Sequence, residues 1–561
     1  MTDQTAGPGQ RRGGGAFAPL SEPTFRRIWI ASLFSNFGQL ILGVGAAWEM
    51  TRLTNSSPSM VALVQSALML PLFLVAVPAG AIADMFDRRR IAMTGLGFAA
   101  LSGAVLTSLS FAGMVGPWVL LGFLVLIGGG VALYGPSWQA SISEQVSPAH
   151  LPAAISLGSI SYNVARTIGP AVGAVVVLTL GARAAFAINA LFYLPLCLMF
   201  FFWRRRHVPS RLPPERIDRA IVSGARYALH SSPIRTVVIR AMAFGFAGAT
   251  YTALGPLVAK QLLSGNASTY GLILGSTGVG AVVGALGLSR LRHAMSSEAL
   301  VRTFALMTGT SLITISASRS LPLTMLAFFV IGISNMQTAS LFNIGVQLTA
   351  PRWVTARALS LYSSAMTGGV ALGAWFWGQV AAGHGVAFAL AVSGGVSAAT
   401  ALLGQILPLP REDEIDTSQV PIGHDPEVAL ALTMRSGPIV VEVEYEVDPD
   451  QARAFYGVAL RLQRLRQRNG GFDWSIARDI ADPARWTERY HCPTWGDYLR
   501  MRDRYTQSDL DLQHQADAFN RAGQGRRVRR WLDRPYGSVR WKADSPDPQT
   551  VPTQPVGMLG P

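Results

Sequence analysis

Gly80-Ala81-Ile82-Ala83-Asp84-Met85-Phe86-Asp87-Arg88-Arg89-Arg90 marks the place where a charge-free run, residues 58–83, meets a turn with two aspartates and three arginines before residues 91–113 become apolar again. A helix needs about 20 mostly apolar residues to cross a bilayer core, and only helices or closed barrels satisfy their backbone there. Outward from this turn the alternation recurs. It gives spans near 27–49, 58–83, 91–113, 117–141, 153–179 and 184–203, then 234–260, 269–289, 299–318, 321–348, 355–380 and 385–407. Between Arg90 and Glu298 the only carboxylates are Glu144, Glu215 and Asp218, and none follows until Glu412. A soluble domain does not avoid carboxylates in this way, so the sequence predicts an all-α polytopic membrane protein with twelve transmembrane helices.

Arginine placement sets the orientation, because cytoplasmic flanks carry the positive excess. Arg11, Arg12, Arg26 and Arg27 precede span 1, and Arg88, Arg89 and Arg90 follow span 2. Arg204, Arg205, Arg206, Arg211, Arg216, Arg219, Arg226 and Arg235 crowd the gap between spans 6 and 7, whereas the opposite gaps hold only Arg52, Arg183, Lys260 and Arg319. Both termini are therefore expected in the cytoplasm, with the chain in a bacterial cytoplasmic membrane. The net charge of +15 is a topology signal first: residues 1–410 hold 26 Lys+Arg against 9 Asp+Glu, and residues 437–543 hold 19 against 15. The excess is not gathered on one soluble face, which speaks against nucleic-acid binding.

Cys197 and Cys492 offer no disulfide framework or cysteine metal site, and neither a metal nor a cofactor is expected. Six spans, a basic loop and six more spans suggest two six-helix halves. Ala154-Ile155-Ser156-Leu157 and Ala358-Leu359-Ser360-Leu361 open spans 5 and 11, with Gly169 and Gly373 in register behind them. The expected organisation is a flexible N-terminus (1–26), a first half (27–203), an amphipathic cytoplasmic linker (204–233) and a second half (234–407). A further linker (408–436), a C-terminal domain (437–535) and a disordered tail (536–561) follow.

Gly80 permits close helix approach, and Asp84 is a carboxylate at the membrane edge that can pair with arginine or cap a helix. With Asp87, Arg88 and Arg89, the spacing resembles the signature loop of the major facilitator superfamily, where such a charge lock holds one of two rocking states. Gly-Ala-Ile-Ala-Asp followed by Asp-Arg-Arg-Arg is most similar to the enterobactin-exporter-like branch, also called transmembrane secretion effectors. Trp48 through Thr54, Leu70-Pro71, Arg166-Thr167-Ile168-Gly169-Pro170 and Arg357 through Tyr362 carry the same resemblance, which runs from about Phe25 to Arg534. It implies the major facilitator fold and a secondary exporter of a small organic molecule such as a siderophore, secondary metabolite or drug. Gly169, Pro170 and Gly173 resemble the glycine-proline motif of proton-driven exporters, so protons are the implied coupling ion.

Arg166 is the most unusual residue within the spans, because a charge at mid-membrane is costly and by default functional. It is the first candidate for the substrate or coupling path, holding an anionic substrate or a counter-charge. Asn36, Gln39, Gln65, Asn163, Tyr251, Asn335 and Gln337 are the other polar candidates; each has the alternative of an interhelical hydrogen bond. No Asp or Glu falls at mid-span, which leaves the carrier of a coupled proton unassigned.

After residue 436 the periodicity changes. Ile439, Val441, Val443, Tyr445 and Val447 alternate with Val440, Glu442, Glu444 and Glu446, a half-buried strand. Asp448-Pro449 start a helix with Phe455, Val458, Leu462 and Leu465 as its apolar stripe, and Asn469-Gly470 end it. Strands near Phe472–Ile476 and Trp486–Cys492, a helix from Trp495 to Phe519 broken near Gln507, and a strand near Val528 complete a small α+β ferredoxin-like domain. It resembles the dimeric domains of antibiotic-biosynthesis monooxygenases, which implies self-association. His491 and His514 are the tempting catalytic groups, but an accessory role is more economical and no catalytic residue is assigned. The competing reading is a membrane-tethered enzyme or ligand sensor acting through this domain. ATP-driven transport is disfavoured, since the only lysines are Lys260 and Lys542 and no phosphate-binding loop is present.

Overall fold

The computed structural model describes residues 17–147, 150–203, 226–227, 230–351, 354–410, 420, 426, 428–430, 432–521 and 527–533. The expectations for the N-terminus, for most of the 204–233 linker and for the 536–561 tail fall outside the described residues. The chain forms two compact units: Met1–Asp218 with Val238–Asn343 and Ser360–Leu409, and Arg219–Val237 with Ile344–Leu359 and Pro410–Pro561.

The helices are α1 (Pro23–Leu53), α2 (Pro58–Met85), α3 (Arg88–Phe111), α4 (Pro117–Gln145), α5 (Leu151–Leu180) and α6 (Ala182–Phe202). They continue as α7 (Ser232–Ala253), α8 (Ala267–Ala294), α9 (Ser297–Ala317), α10 (Leu321–Thr349), α11 (Thr355–His384) and α12 (Val386–Ala399). Pro at the first helical turn opens α1, α2 and α4, where its missing N–H costs nothing. Asp87 caps α3 and Asn266 builds a capping box on α8.

Span 7 is not the continuous helix expected over 234–260. Pro256 lacks the N–H that would bond back to Thr252, so α7 stops at Ala253 and the chain continues as a turn at Gly255–Leu257 and a π-helical turn at Val258–Leu262. The last span likewise passes from α12 through a 3-10 turn at Thr400–Leu402 to a final helical turn at Leu403–Ile406.

Among the described residues ten helical segments are long and apolar enough to cross a membrane. Helices α5 and α11 are outside that set. Of α5, the run Ile168–Leu180 is apolar among the described residues, and α11 begins through Ser360, Tyr362, Ser363, Ser364 and Thr367.

Small residues bring the helices close, as membrane packing favours. A methyl group at Gly95 would lie 2.6 Å from the Gly130 carbonyl between α3 and α4. Gly309 of α9 meets the Gly394 carbonyl of α12 at the same 2.6 Å. The glycines matched in sequence make matched contacts: Gly169 lies on Leu40 and Phe37 of α1, and Gly373 on Phe246 and Ala249 of α7.

In the second unit β1 (Ile439–Glu446), α13 (Ala452–Arg468), β2 (Phe472–Arg478), β3 (Arg485–Cys492), α14 (Trp495–Asp503), α15 (Gln507–Asp517) and β4 (Arg527–Leu532) follow in order. The sheet order is β2-β3-β1-β4, with all neighbours antiparallel. Asp448 caps a 3-10 turn at Pro449–Gln451 rather than the α-helix itself. The break near Gln507 separates α14 from α15 through a Thr506 capping box. Ile439, Val441, Val443 and Tyr445 pack with Phe455, Val458, Leu462 and Leu465 of α13 in one core, and Tyr490 and Trp495 belong to it. Burial pushes the Cys492 thiol up to about 12, which makes it an unreactive core group.

Candidate functional site

Arg166 stands 15 residues into α5, or about 22 Å along it. Its Nη2 donates to Asn335 Oδ1 at 2.8 Å, and Asn335 sits midway along α10. This contact joins the first six helices to the second six. The guanidinium is within electrostatic reach of the Tyr251 hydroxyl on α7 and the Tyr362 hydroxyl on α11, and Tyr362 also donates to the Ala339 carbonyl at 2.9 Å. Among the described residues no carboxylate forms an ion pair with Arg166. The site is a cation held by a neutral amide oxygen with two phenols in electrostatic reach, chemistry that accepts an anionic or hydrogen-bond-accepting group.

Of the eight polar candidates, Arg166 and Asn335 are brought into contact, with Tyr251 in electrostatic reach. Two others sit in seams between helices. Asn36 Nδ2 donates to Ser161 Oγ at 3.1 Å between α1 and α5, and Gln337 Nε2 donates to the Gly284 carbonyl at 2.5 Å between α8 and α10. Gln39 and Gln65 are half-buried and make no hydrogen bond among the described residues. The side chain of Asn163 is outside the described set. Tyr362 was quoted in sequence only as part of a motif; its nearness to Arg166 depends on how α11 packs.

The loop after α2 has a defined division of labour. Asp87 Oδ1 accepts from the N–H groups of Arg89 at 2.9 Å and Arg90 at 3.3 Å, so it is engaged as the α3 cap. Arg88 Nη1 pairs with Glu144 at 3.0 Å, tying the start of α3 to the end of α4. Arg89 donates to the Phe201 carbonyl at the end of α6 and lies over the Phe201 ring at 5.9 Å, a cation at a helix C-terminus. The surroundings of Gly80 and the side chain of Asp84 lie outside the described residues.

Gly173 places α5 against α1, where a methyl group would sit 3.1 Å from Ile41 Cα, and Pro170 lies inside α5 between Gly169 and Gly173. The two sets of helices also meet at the end of the bundle that carries the α1–α2 turn. There Trp48 stacks on Tyr270 with centroids 6.4 Å apart, and Ser66 Oγ donates to the Ala371 carbonyl at 2.8 Å. A methyl at Gly378 would lie 2.5 Å from Ala62 Cβ, and Gly271 abuts Ala174. This end is closed.

One ion pair escaped the sequence reading. Arg240, 2% exposed, makes a bidentate pair with Glu298 at 2.6 and 3.1 Å and donates to the Leu407 carbonyl at 3.1 Å. The Leu409 N–H donates to Glu298 at 3.0 Å. The pair thus binds α7, α9 and the exit from the last span into one clasp. An arginine six residues inside the expected span 234–260 was the available signal. Glu298→Ala, which strands a buried guanidinium, is expected to destabilise the bundle by about 3–5 kcal/mol. A lowered thermal unfolding midpoint in detergent is the readout, and an unchanged midpoint would show that the clasp carries no stability.

The transmembrane secretion effector family is matched over residues 14–536. The multidrug efflux pump Tap of Mycolicibacterium fortuitum is 26% identical over 407 residues, covering 70% of this chain and 97% of that protein. The staphyloferrin A transporter of Staphylococcus aureus is 26% identical over 230 residues, 40% of this chain and 56% of that one. Among solved structures, the nucleoside transporter NupG has a TM-score of 0.56 at 12% identity, covering 68% of this chain and 99% of that chain. A bacterial homologue of the human lysosomal transporter Spinster, inward-facing and unoccupied, has a TM-score of 0.54 at 13% identity, covering 70% of this chain and 96% of that one. The fold shared with these transporters, the apolar helices and the match along most of its length show that this multi-pass membrane chain belongs to the transmembrane secretion effectors of the major facilitator superfamily, a family of transporters and not of enzymes.

Proposed function

We propose that the chain is a secondary exporter with twelve membrane-spanning helices in two halves, moving a small organic molecule outward by alternating access. The observation that carries this reading is the Arg166–Asn335 contact, a polar pair at mid-helix between the halves and beyond the closed end. Relatives named as a multidrug efflux pump and a siderophore transporter support export of a small molecule. Arg166 favours a substrate with a carboxylate or another anionic group. Comparing metabolites retained by cells with and without the gene identifies it; an unchanged metabolite profile, together with no gradient-driven uptake of the retained fraction by inverted vesicles, would remove the exporter reading.

Arginine placement favours cytoplasmic termini, so the closed end faces outward and the state is inward-facing. The glycine-proline motif favours proton coupling, and collapse of the proton gradient should then stop efflux. The strand order and the β-α-β-β-α-α-β succession of the tail support a ferredoxin-like domain with an accessory role, including self-association.

Gly80, Asp84 and Arg88 are proposed as the conformational lock, with Arg88 held to Glu144 and Asp87 serving as the cap. Asp84→Asn is expected to lower transport by about tenfold with insertion intact, the effect of losing one charge-assisted contact. Initial rates in vesicles at equal expression test this; parental rates would exclude Asp84 from the lock.

A further inference from the structure

Tyr227 is the only Phe, Trp or Tyr between Trp203 and Phe244, in a segment otherwise crowded with arginine. Such a ring is expected to lie on a membrane surface or in solvent. Instead it is 3% exposed, as buried as a core residue. The guanidinium of Arg468, in the last turn of α13, lies 5.5 Å from its ring centroid. Arg468 is itself held by Asp509 of α15. One residue before Tyr227, Arg226 Nη1 donates to the carbonyl of Gly470 at 3.4 Å. Gly470 adopts φ +112, a left-handed conformation that turns its carbonyl out of the end of α13 and that a side chain would resist. Arg219–Val237 and the tail belong to one compact unit together with Ile344–Leu359, the end of α10 and the start of α11.

We propose that the tail domain is a restraint on the transport cycle: the face formed by Arg468, Gly470 and Asp509 grips the linker between the two halves through Tyr227, and the grip favours the state closed at the Trp48–Tyr270 end. This rests on the alternating-access reading above. The linker is the covalent tie between halves that rock against each other, so a domain that fixes part of it adds free energy to whichever state allows the contact. In this proposal the grip is strongest when that end is closed, so its loss withdraws stabilisation from the closed state.

The test uses the full-length protein in lipid nanodiscs with Ser66→Cys as a reporter, since Ser66 is buried in the closed seam against Ala371. Cys197 is replaced by Ser, and alkylation by a bulky maleimide is read by mass spectrometry at position 66. Tyr227→Ala and Arg468→Ala are compared with the parent, alongside hydrogen exchange of the 219–237 segment. Both should show linker exchange about tenfold faster and alkylation at least about threefold faster, the range expected for loss of a cation–π anchor. Exchange in β1 and β3 should stay parental in both variants, separating release of the linker from unfolding of the tail. Should Arg468→Ala unfold the tail, Tyr227→Ala, whose residue lies outside that domain's sheet and helices, decides. Parental linker exchange in Tyr227→Ala would overturn the docking. Faster linker exchange with a parental alkylation rate would overturn the restraint. A position 66 that never reacts in any folded variant would overturn alternating access itself and the restraint with it.

Discussion

Replacing Arg166 with Met is expected to lower transport by about tenfold to a hundredfold and leave the helical bundle at least as stable as the parent. A hydrogen bond from a charged group is worth about 1.5–3 kcal/mol, and about 1.4 kcal/mol corresponds to a tenfold change in rate. The stability side follows from opposing magnitudes. A charge at the bilayer centre costs about 2.5–3.5 kcal/mol on insertion scales, whereas an interhelical hydrogen bond averages about 0.6 kcal/mol. Losing both together therefore leaves the balance neutral or favourable. Arg166→Lys should recover part of the activity if charge alone matters, and little if the planar fork toward Asn335 is required. Asn335→Leu removes the acceptor and should lower transport without restoring stability, because the guanidinium loses its partner. Initial rates at equal expression and thermal midpoints are compared across the set. Parental transport with a large fall in stability would make Arg166 a structural pin, and the polar cluster would then lie outside the path.

What the sequence made legible follows the range of each interaction. Local chemistry was readable: Asp87 before an arginine run is a helix cap, and the structure uses it as one. Pro256 inside an apolar span was equally local, yet the smooth hydropathy of 234–260 concealed the break it causes. Alternation over 439–447 located β1 and its buried side, because a period of two assigns faces without knowledge of partners. Partners were another matter. Arg166 and Asn335 stood out singly as polar groups in apolar spans, but 169 residues separate them and only helix packing brings them together. Asn36 and Gln337 carried the same signal and lie in seams instead, since composition cannot distinguish a helix face turned to a cavity from one turned to a neighbour. Glu488 is instructive because its strand was legible and its buried partner was not. It shares a strand face with Trp486, Tyr490 and Cys492, so the alternation already placed a carboxylate on the buried side, where only a buried cation makes it tolerable.

That cation is Arg466, and Glu488→Ala is expected to remove about 3–5 kcal/mol from the tail domain, a large share of the 5–15 kcal/mol typical of a folded domain. Arg466 is 3% exposed and Glu488 1%. Arg466 Nε donates to Glu488 Oε1 at 3.0 Å and Nη2 to Oε2 at 3.2 Å, while Trp474 Nε1 and the Tyr445 hydroxyl complete the carboxylate's partners at 3.0 and 3.3 Å. Truncating Glu488 leaves the guanidinium buried without a counter-charge and deprives two further donors. Replacing both residues, Arg466→Met with Glu488→Leu, should recover much of the loss, because a packed apolar pair has no desolvation to repay. Burial alone would raise the Glu488 carboxyl, but the Arg466 charge and the surrounding donors hold it below its ordinary value. A folded-state pKa below the unfolded one means that this stabilisation is present above the unfolded value and is lost as pH falls through the folded one. The full-length parent should therefore keep its tail folded through mildly acid pH and lose it only below the ordinary carboxylate range, whereas the double variant should lack that contribution to the acid transition. Hydrogen exchange in β1 and β3 follows both effects. Parental protection in Glu488→Ala would mean that Arg466 reaches water or another acceptor once the carboxylate is gone, and the pair would not be what holds the core of this domain.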